Sequence, residues 1–282
     1  MPLGIGLKPQ HFLSIIETTP ALEFFEIHAE NYMVEGGPFH YYLSAIRAQY
    51  ALSIHGTALS LGGKHDLDQD HLTRLVDLVD RYEPLIVSEH LAWSTHANSY
   101  LSDLLPLVYS KASLHTVCQH IDQVQTALHR PLLLENPATY IEFAKAEFTE
   151  PEFISEIIKR TGCKLLLDIS NVYVTCCNHQ TDIKKYLGAL PLSSVAQIHL
   201  AGFEAHVNPD DLVLVDSHSA AVSDPVWELF ESVLTDLPKK NTLPILIERD
   251  SNIPALSELM SEVRHAQAIE LMTGAQHFLA AI

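Results

Sequence analysis

The sequence predicts an α/β fold, a (β/α)8 barrel of the TIM-barrel class. Two observations support this prediction: short apolar runs recur at helix-sized intervals, and most of them end in His, Asp or Glu. Apolar runs of this length are typical of buried parallel strands. A chain of 282 residues is long enough for one such barrel. We therefore expect residues 1–282 to form a single TIM-barrel domain.

Eight predicted strands follow one another along the chain. The first is rich in glycine and the second in phenylalanine, whereas the later ones are mostly runs of Leu, Ile and Val. Parallel strands in a barrel are buried on both faces, which explains the nearly unbroken apolar runs. In chain order, the predicted strands are 4–7, 24–28, 53–55, 85–90, 132–135, 164–168, 196–199 and 245–248.

Segments with apolar residues at helical spacing lie between these strands. Asp68 or Asp70 can cap one of these segments, and Gly162 can end another. The predicted helices are 11–17, 72–79, 114–128, 153–158 and 226–233. A strand-like run at 212–218 has no place among the eight strands. We expect this run to be a loop insertion that crosses the C-terminal face of the barrel.

Charge and cysteine content exclude several classes of protein. The formal net charge of −18 disfavours nucleic acid as a partner, because proteins that bind it usually carry a basic face. No apolar run reaches the roughly 18 residues that a membrane-spanning helix needs. Residues 1–6 lack the pattern of a signal peptide, and the four cysteines include no C-x-x-C pair. We expect a cytoplasmic protein that binds neither nucleic acid nor membranes.

Metal-binding side chains stand at the ends of six predicted strands. The C-terminal ends of barrel strands converge on one face, where active sites are built. A carboxylate at such a position is paired, protonated or bound to metal, because burying it alone is costly. The sequence therefore predicts a polynuclear metal site formed by His55, His90, Glu135, Asp168, His199 and Glu248.

The predicted insertion adds two candidate ligands to this set. Residues two apart in an extended segment point the same way, so Asp216 and His218 could bind one ion together. Glu89 and His90 are adjacent, so only one of them should face the barrel interior, and we favour His90. The mixture of imidazole and carboxylate without thiolate suits iron, manganese or zinc.

Each of these residues taken alone has a simpler explanation. A single strand-end carboxylate often forms an ion pair or caps a loop, and a single buried His is usually a hydrogen-bonded core residue. The metal-site prediction depends on the same topological position recurring in successive strands. Other histidines fall in helical segments, and we expect them to be solvated; these are His71, His115, His120 and His129.

Eight short motifs occur in order along the chain. They are Glu30-Asn31-Tyr32-Met33, Ser53-Ile54-His55-Gly56, Ser88-Glu89-His90-Leu91-Ala92-Trp93-Ser94, Leu133-Leu134-Glu135-Asn136-Pro137, Leu166-Leu167-Asp168-Ile169-Ser170-Asn171-Val172-Tyr173, Ile198-His199-Leu200-Ala201-Gly202, Asp216-Ser217-His218 and Ile247-Glu248-Arg249-Asp250. This series resembles the multinuclear non-haem iron-dependent oxidative enzymes, a family long catalogued as a domain of unknown function with a xylose-isomerase-like barrel. The family includes the methanobactin-forming enzyme. The resemblance extends from residue 4 to about residue 254.

The resemblance implies two or three irons, in mixed Fe(II)/Fe(III) states, at the barrel mouth. It implies O2 as co-substrate and cysteines of a ribosomally made precursor peptide as the target, with a small partner protein that recruits the peptide. Asp168, His90 and Glu248 are the expected catalytic residues. Glu89 stands where Asp is usual, and Ser170 where Asn is usual. The positions that match the family's metal ligands are His55, His90, Glu135, Asp168, Asn171, His199, Asp216, His218 and Glu248.

Two other classes of function remain open at the level of sequence. One is a divalent-metal-dependent hydrolase or isomerase on the same barrel, similar to endonuclease IV or to a sugar isomerase. The acidic charge disfavours DNA as its substrate. The other is a non-catalytic metal-binding or scaffold protein whose barrel face docks a partner. One fold commonly supports several functions, so the fold alone does not decide among these classes.

Overall fold

In the computed structural model, which describes residues 1–96, 99–208, 211–237 and 242–280, eight parallel strands close into a barrel. The predicted (β/α)8 class is confirmed, and the predicted strands are present in the predicted order. The strands are β1 Leu3–Gly6, β2 Phe24–His28, β3 Ala51–Gly56, β4 Ile86–His90, β5 Trp93–His96, β6 Ser99–Leu105, β7 Leu133–Glu135, β8 Lys164–Asp168, β9 Val195–Ala201, β10 Glu204–Asn208, β11 Asp211–Val215 and β12 Ile245–Glu248. Of these, β1–β4, β7–β9 and β12 form the barrel, and β1 pairs with both β2 and β12.

The barrel strands are buried on both faces. Leu165, Leu166 and Leu167 alternate between the two faces of β8, and all three are fully buried. The parallel register also brings the strand ends level with one another. His90 lies beside Glu135, and Asp168 lies beside His199. This register brings groups that are distant in sequence to one end of the barrel.

Helices connect the strands and cover the outside of the barrel. Asp68 caps the helix Gln69–Tyr82 by accepting hydrogen bonds from two backbone N–H groups, and Gly162 ends the helix Glu150–Thr161 in a left-handed conformation with φ of 70°. In the part of the chain that the structure describes, no helix is both long and apolar enough to cross a bilayer. The helices are α1 Phe12–Thr18, α2 Pro38–Arg47, α3 Gln69–Tyr82, α4 Lys111–Leu128, α5 Glu150–Thr161, α6 Ile169–Asn178, α7 Ile183–Ala189, α8 Asp224–Asp236 and α9 Leu256–Ala280.

Two antiparallel hairpins follow the C-terminal ends of barrel strands. The hairpin β5–β6 comes after β4, and no sequence signal predicted it. The hairpin β10–β11 comes after β9 and contains the predicted strand-like run. However, β11 ends at Val215, so Asp216 and His218 lie in the following loop, where His218 has φ of 48°. We expected Asp216 and His218 to lie on an extended segment. This expectation was wrong, because the backbone at His218 is not extended.

Two of the four histidines expected to be solvated are buried. His71 is buried on α3 beside Glu30, and His120 is buried on α4, where its ring bonds to the Leu61 carbonyl at 2.8 Å. His115 and His129 are exposed, as expected. Helical position alone therefore did not predict burial, because the segments after β2 and β3 pack against these helices.

A buried carboxylate away from the strand ends joins three segments of the chain. Glu150 of α5 accepts hydrogen bonds from the hydroxyl groups of Tyr109, at 2.7 Å, and Tyr186 of α7. Burial raises the pKa of Glu150 to about 7, although both hydroxyl groups act to lower it. The folded protein therefore holds a proton on Glu150 in a pH range where the unfolded chain has lost it.

We expect the stability contributed by Glu150 to fall as pH rises. Below the ordinary pKa of 4.5 both states are protonated, and between 4.5 and about 7 the folded state alone keeps the proton. The shift corresponds to at most about 3 kcal/mol. The Glu150→Gln variant cannot ionise. Urea unfolding of both metal-free proteins should show the wild type losing up to about 3 kcal/mol relative to the variant between pH 4.5 and pH 8. Parallel pH profiles would contradict the assignment.

Candidate metal centre

The ends of β3, β4 and β7 bring together one group of possible ligands. The Nε2 atoms of His55 and His90 are 3.3 Å apart, and each lies 3.1 Å from Oε2 of Glu135. Their other ring nitrogens face outward. Nδ1 of His90 donates to the Gly56 carbonyl oxygen at 3.0 Å, and Nδ1 of His55 lies 2.7 Å from Oγ of Ser88. These outer contacts hold both rings with Nε2 directed at the cluster.

A second group lies on the other side of Glu135. Nδ1 of His199 is 3.1 Å from Oε2 of Glu248 and 3.7 Å from Oε1 of Glu135. Asp168 lies with Glu135 and His199 in one group whose ligand atoms are all within 4.8 Å of one another. Because one oxygen of Glu135 faces each group, this carboxylate lies where it could bridge two ions.

A carboxylate that the sequence analysis did not assign to the site orients His199. Oε1 of Glu26 is 3.1 Å from Nε2 of His199, and its Oε2 accepts hydrogen bonds of 2.7 Å from Ser53 and from Gln197. Glu26 therefore lies against Nε2 of His199, whereas Nδ1 of His199 faces the cluster. Glu26 and His28 are two residues apart on β2 and so share a face, which is the signal that could have identified both.

The loop after β11 brings His218 into a third group, with Asp168 and Glu248, whose ligand atoms all lie within 4.8 Å of one another. Nε2 of His218 is 2.7 Å from Oδ1 of Asp216, and its Nδ1 is 3.5 Å from Oε2 of Glu248. Asn171 lies on the first turn of α6 and donates its backbone N–H to Oδ1 of Asp168 at 2.6 Å. Its side-chain Nδ2 donates to the Asn136 carbonyl oxygen at 3.1 Å, which leaves its Oδ1 without a partner.

Two further residues at this end were not among the predicted ligands. Nε2 of His28 lies 3.4 Å from Oε1 of Glu248 and 3.6 Å from Oδ1 of Asp250. These three residues form another group whose geometry could hold an ion. Oδ1 of Asp250 also lies 2.6 Å from Nζ of Lys8. Asp250 follows Glu248 by two residues, which is the sequence signal for its location.

Glu89 does not join the cluster, whereas His90 does. The carboxylate of Glu89 is buried and accepts hydrogen bonds from the backbone N–H of His90, at 3.1 Å, and of Leu59, at 3.4 Å. Burial raises the pKa of Glu89 to about 8, and the nearby Glu30 adds to this effect. The alternation of side chains along β4 thus places one member of the pair in the cluster.

The donor atoms of the cluster fit a group of metal ions. Buried polar atoms without a hydrogen-bond partner are costly. When two donor atoms each bind the same metal ion at about 2.1 Å, the two atoms lie about 3.0 to 3.4 Å apart. The donor atoms of His55, His90 and Glu135 have separations in this range. Imidazole, carboxylate and amide oxygen are also the donors that iron, manganese and zinc accept. Among the described residues, the atoms of the cluster that lack a hydrogen-bond partner are Glu135 Oε2, Asp168 Oδ2, Asn171 Oδ1, His199 Nδ1, Asp216 Oδ1, His218 Nε2 and Glu248 Oε2.

The pKa shifts of the cluster residues also support a metal site. Burial raises the pKa of Asp168 far above its usual range, and Glu135 and Asp216 add to the effect. Burial acts to lower the pKa of His199, but Glu26 and Glu248 outweigh it and raise that pKa well above 6.5. When no metal is bound, these shifts favour protonation of Asp168 and His199. Metal binding would release these protons, so metal affinity should rise with pH.

A cavity of about 300 Å³ opens beside the cluster. His90, Asn171 and Asp216 line its inner part, and the hairpin β5–β6 contributes Tyr100 to its wall. A larger cavity of about 690 Å³ lies at the opposite end of the barrel, and none of the cluster residues lines it. Of these two cavities, the smaller one is in contact with the cluster. Its wall also includes Thr57, Ala92, Asp103, Leu104, Pro137, Ala138 and Tyr140.

The fold and the cluster define the class: a TIM barrel with a candidate polynuclear metal centre at its C-terminal face. Residues 2–271 match a family described as the RiPP precursor modification enzymes MbnB/TglH/ChrH, which act on ribosomally synthesised peptides. The chain belongs to this enzyme family. The resemblance inferred from the motifs is thereby confirmed, and a precursor peptide is the substrate class that the family implies.

Sequence relatives and solved structures agree with this assignment at different levels. A UPF0276 protein of Paraburkholderia phytofirmans is 49% identical over 269 residues, which cover 95% of this chain and 87% of that protein. A UPF0276 protein of Vibrio vulnificus is 38% identical over 267 residues, which cover 95% of this chain and 91% of that protein. A D-psicose 3-epimerase superposes with a TM-score of 0.61 at 12% sequence identity, and the match covers 97% of this chain and 99% of that protein. Endonuclease IV from Thermus thermophilus superposes with a TM-score of 0.61 at 17% sequence identity, and the match covers 95% of this chain and 98% of that protein. At these identities the structures show the shared fold alone.

The Gly202→Ala substitution should displace the loop that carries Asp216 and His218. A Cβ at position 202 would overlap the backbone of Ala220 and Ala221, which cannot move without moving this loop. We expect the free energy of unfolding to fall by about 1–3 kcal/mol, measured in urea. Gly188→Ala is the matched control, because a Cβ there meets nothing within 4 Å. Equal stability of the two variants would show that the loop is not held by this close approach.

Proposed function

We propose that this chain is a multinuclear non-haem iron-dependent oxidoreductase that uses O2 to modify cysteine residues of a ribosomally synthesised precursor peptide. The observation that carries the proposal is the location of Glu135. One of its carboxylate oxygens faces His55 and His90, and the other faces His199. A shared carboxylate of this kind suits adjacent ions. Membership of a precursor modification family supplies the substrate class.

The proposed ligands divide into three groups. His55, His90 and Glu135 would hold one ion, and a second would lie among Glu135 and its neighbours Asp168, His199 and Glu248. The loop residues Asp216 and His218, with Asn171 of α6, would hold a third. Buried donor atoms without hydrogen-bond partners support each group among the described residues. Within this set, Asp168, His90 and Glu248 are the proposed catalytic residues.

Iron bound here would supply Lewis acidity toward a cysteine thiol and the electrons for chemistry with O2. The chain's own residues would orient the ligands. Outer contacts from Ser88, Glu26 and the Gly56 carbonyl hold the histidine rings. The cavity beside His90 is large enough for an amino-acid side chain and is bordered by the half-exposed rings of Tyr100 and Tyr140. Exposed aromatic groups around a polar site suit a peptide substrate.

Further parts of the proposal concern partners and organisation. A separate small partner protein would recruit the precursor peptide, and the barrel over residues 1–282 would act as one cytoplasmic catalytic domain. A divalent-metal-dependent hydrolase or isomerase is the second candidate, because similar barrels occur in endonuclease IV and in sugar epimerases. The net charge of −18 argues against DNA as a substrate.

Metal content and oxidation state distinguish the two candidates. Elemental analysis and Mössbauer spectroscopy should be applied to protein expressed in iron-replete medium and purified without chelator. Two or three irons per chain, partly ferric and partly ferrous, are expected for the oxidoreductase. Stoichiometric zinc or manganese with little iron would instead favour the hydrolase or isomerase.

The variants Asp168→Ala and Glu248→Ala should lose both bound iron and O2 consumption in the presence of Cys-containing peptides. Each removes a buried carboxylate that the cluster needs to balance cationic charge. Iron per chain is measured on purified protein, and peptide products are measured by mass spectrometry. Glu156→Gln is a control on the outer surface of α5, where Glu156 pairs with Lys159 and Arg160. Full iron occupancy and activity in the alanine variants would remove Asp168 and Glu248 from the site.

A further inference from the structure

We propose that Lys8 and Asp250 are positioning residues that make His218 bind metal through its Nε2 atom. The proposal rests on the metal centre of the proposed function and assigns a role to two residues outside the ligand set. Lys8 follows β1, and Asp250 follows β12, so both project from neighbouring strands at the C-terminal face. His218 lies on the loop after β11.

Asp250 joins Lys8 to His218 through both of its carboxylate oxygens. Nζ of Lys8 is 2.6 Å from Oδ1, and Nδ1 of His218 is 3.2 Å from Oδ2. The backbone N–H of Asp250 also donates to the carbonyl oxygen of His218 at 2.9 Å. His218 has φ of 48°, a left-handed conformation that a non-glycine residue adopts at a cost. Contacts to one residue thus hold both the backbone and the ring of His218.

The contact with Asp250 decides which ring nitrogen of His218 is free for a metal. A carboxylate is an acceptor, so it requires Nδ1 of His218 to keep its proton. The lone pair is then on Nε2, which lies 2.7 Å from Oδ1 of Asp216, and neither atom has a hydrogen-bond partner among the described residues. Asp216 also lines the cavity that Asn171 lines. Nε2 of His218 and Oδ1 of Asp216 therefore face a common position.

An alternative is that Asp250 itself binds an ion together with His28 and Glu248. The location of Lys8 argues against this alternative. Its ammonium group, with one positive charge, is bonded to the same oxygen of Asp250 that lies 3.6 Å from Nε2 of His28. A metal ion at that position would meet the lysine at close range. His28 is better explained as a hydrogen-bond donor to Oε1 of Glu248, at 3.4 Å.

The test measures Fe(II) bound per chain by anaerobic equilibrium dialysis over a range of free Fe(II). We expect Lys8→Met and Asp250→Asn to lower the affinity for one Fe(II) ion by about 10- to 100-fold, which is the usual effect of removing an outer partner of a metal ligand. The other ions should bind as in the wild type. Lys8→Arg restores the cation and should recover most of this affinity. His28→Gln keeps a donor to Glu248 and should bind the full complement. Lys159→Met, on an exposed ion pair of α5, is the matched control for loss of a lysine.

Three outcomes would overturn the assignment. Wild-type isotherms for both Lys8→Met and Asp250→Asn would remove the positioning role and leave the metal centre intact. Loss of the same ion in His28→Gln and Asp250→Asn would make Asp250 a ligand. Absence of Fe(II) binding by the wild type would instead overturn the proposed function together with this inference. Thermal unfolding of each metal-free variant shows that a lost ion is not a loss of fold.

Discussion

The burial of several carboxylates at one end of the barrel is the constraint on which the rest of the structure depends. Glu26, Glu135, Asp168 and Glu248 are each at most 3% exposed. Like charges at this spacing repel strongly in a medium that polarises less than water. In the metal-free protein, the raised pKa values of His199 and Asp168 favour their protonation, which offsets part of this repulsion. Bound cations would replace those protons and satisfy the unpaired oxygen and nitrogen atoms together.

The cluster is assembled from two kinds of element that differ in how firmly they hold their side chains. His55, His90, Glu135 and His199 stand on barrel strands whose register sets their relative positions. Asp216 and His218 stand on a loop, and packing against Gly202 and bonding to Asp250 hold that loop in place. Sites built on strands are more precise than sites built on loops. The third group of proposed ligands is thus the part of the candidate centre that depends most on neighbouring residues.

The same barrel occurs in sugar epimerases and in an endonuclease, so the chemistry follows from groups added at its C-terminal face. In this chain those groups include the hairpins β5–β6 and β10–β11. The first contributes Tyr100 and Leu104 to the cavity wall beside His90. This cavity of about 300 Å³ has a size that suits a single side chain entering from a larger molecule.

The sequence by itself determined the barrel, because strands buried on both faces are largely apolar, as in Leu165 to Leu167. It also determined the strand-end candidates, since parallel strands end at a common face. The tertiary structure decided the roles of Glu26, His28 and Asp250, because those roles depend on hydrogen bonds to residues distant in the chain. It likewise decided the paths of the hairpins and of the loop at His218. Local propensity does not specify such paths, because long-range packing and a left-handed residue set them.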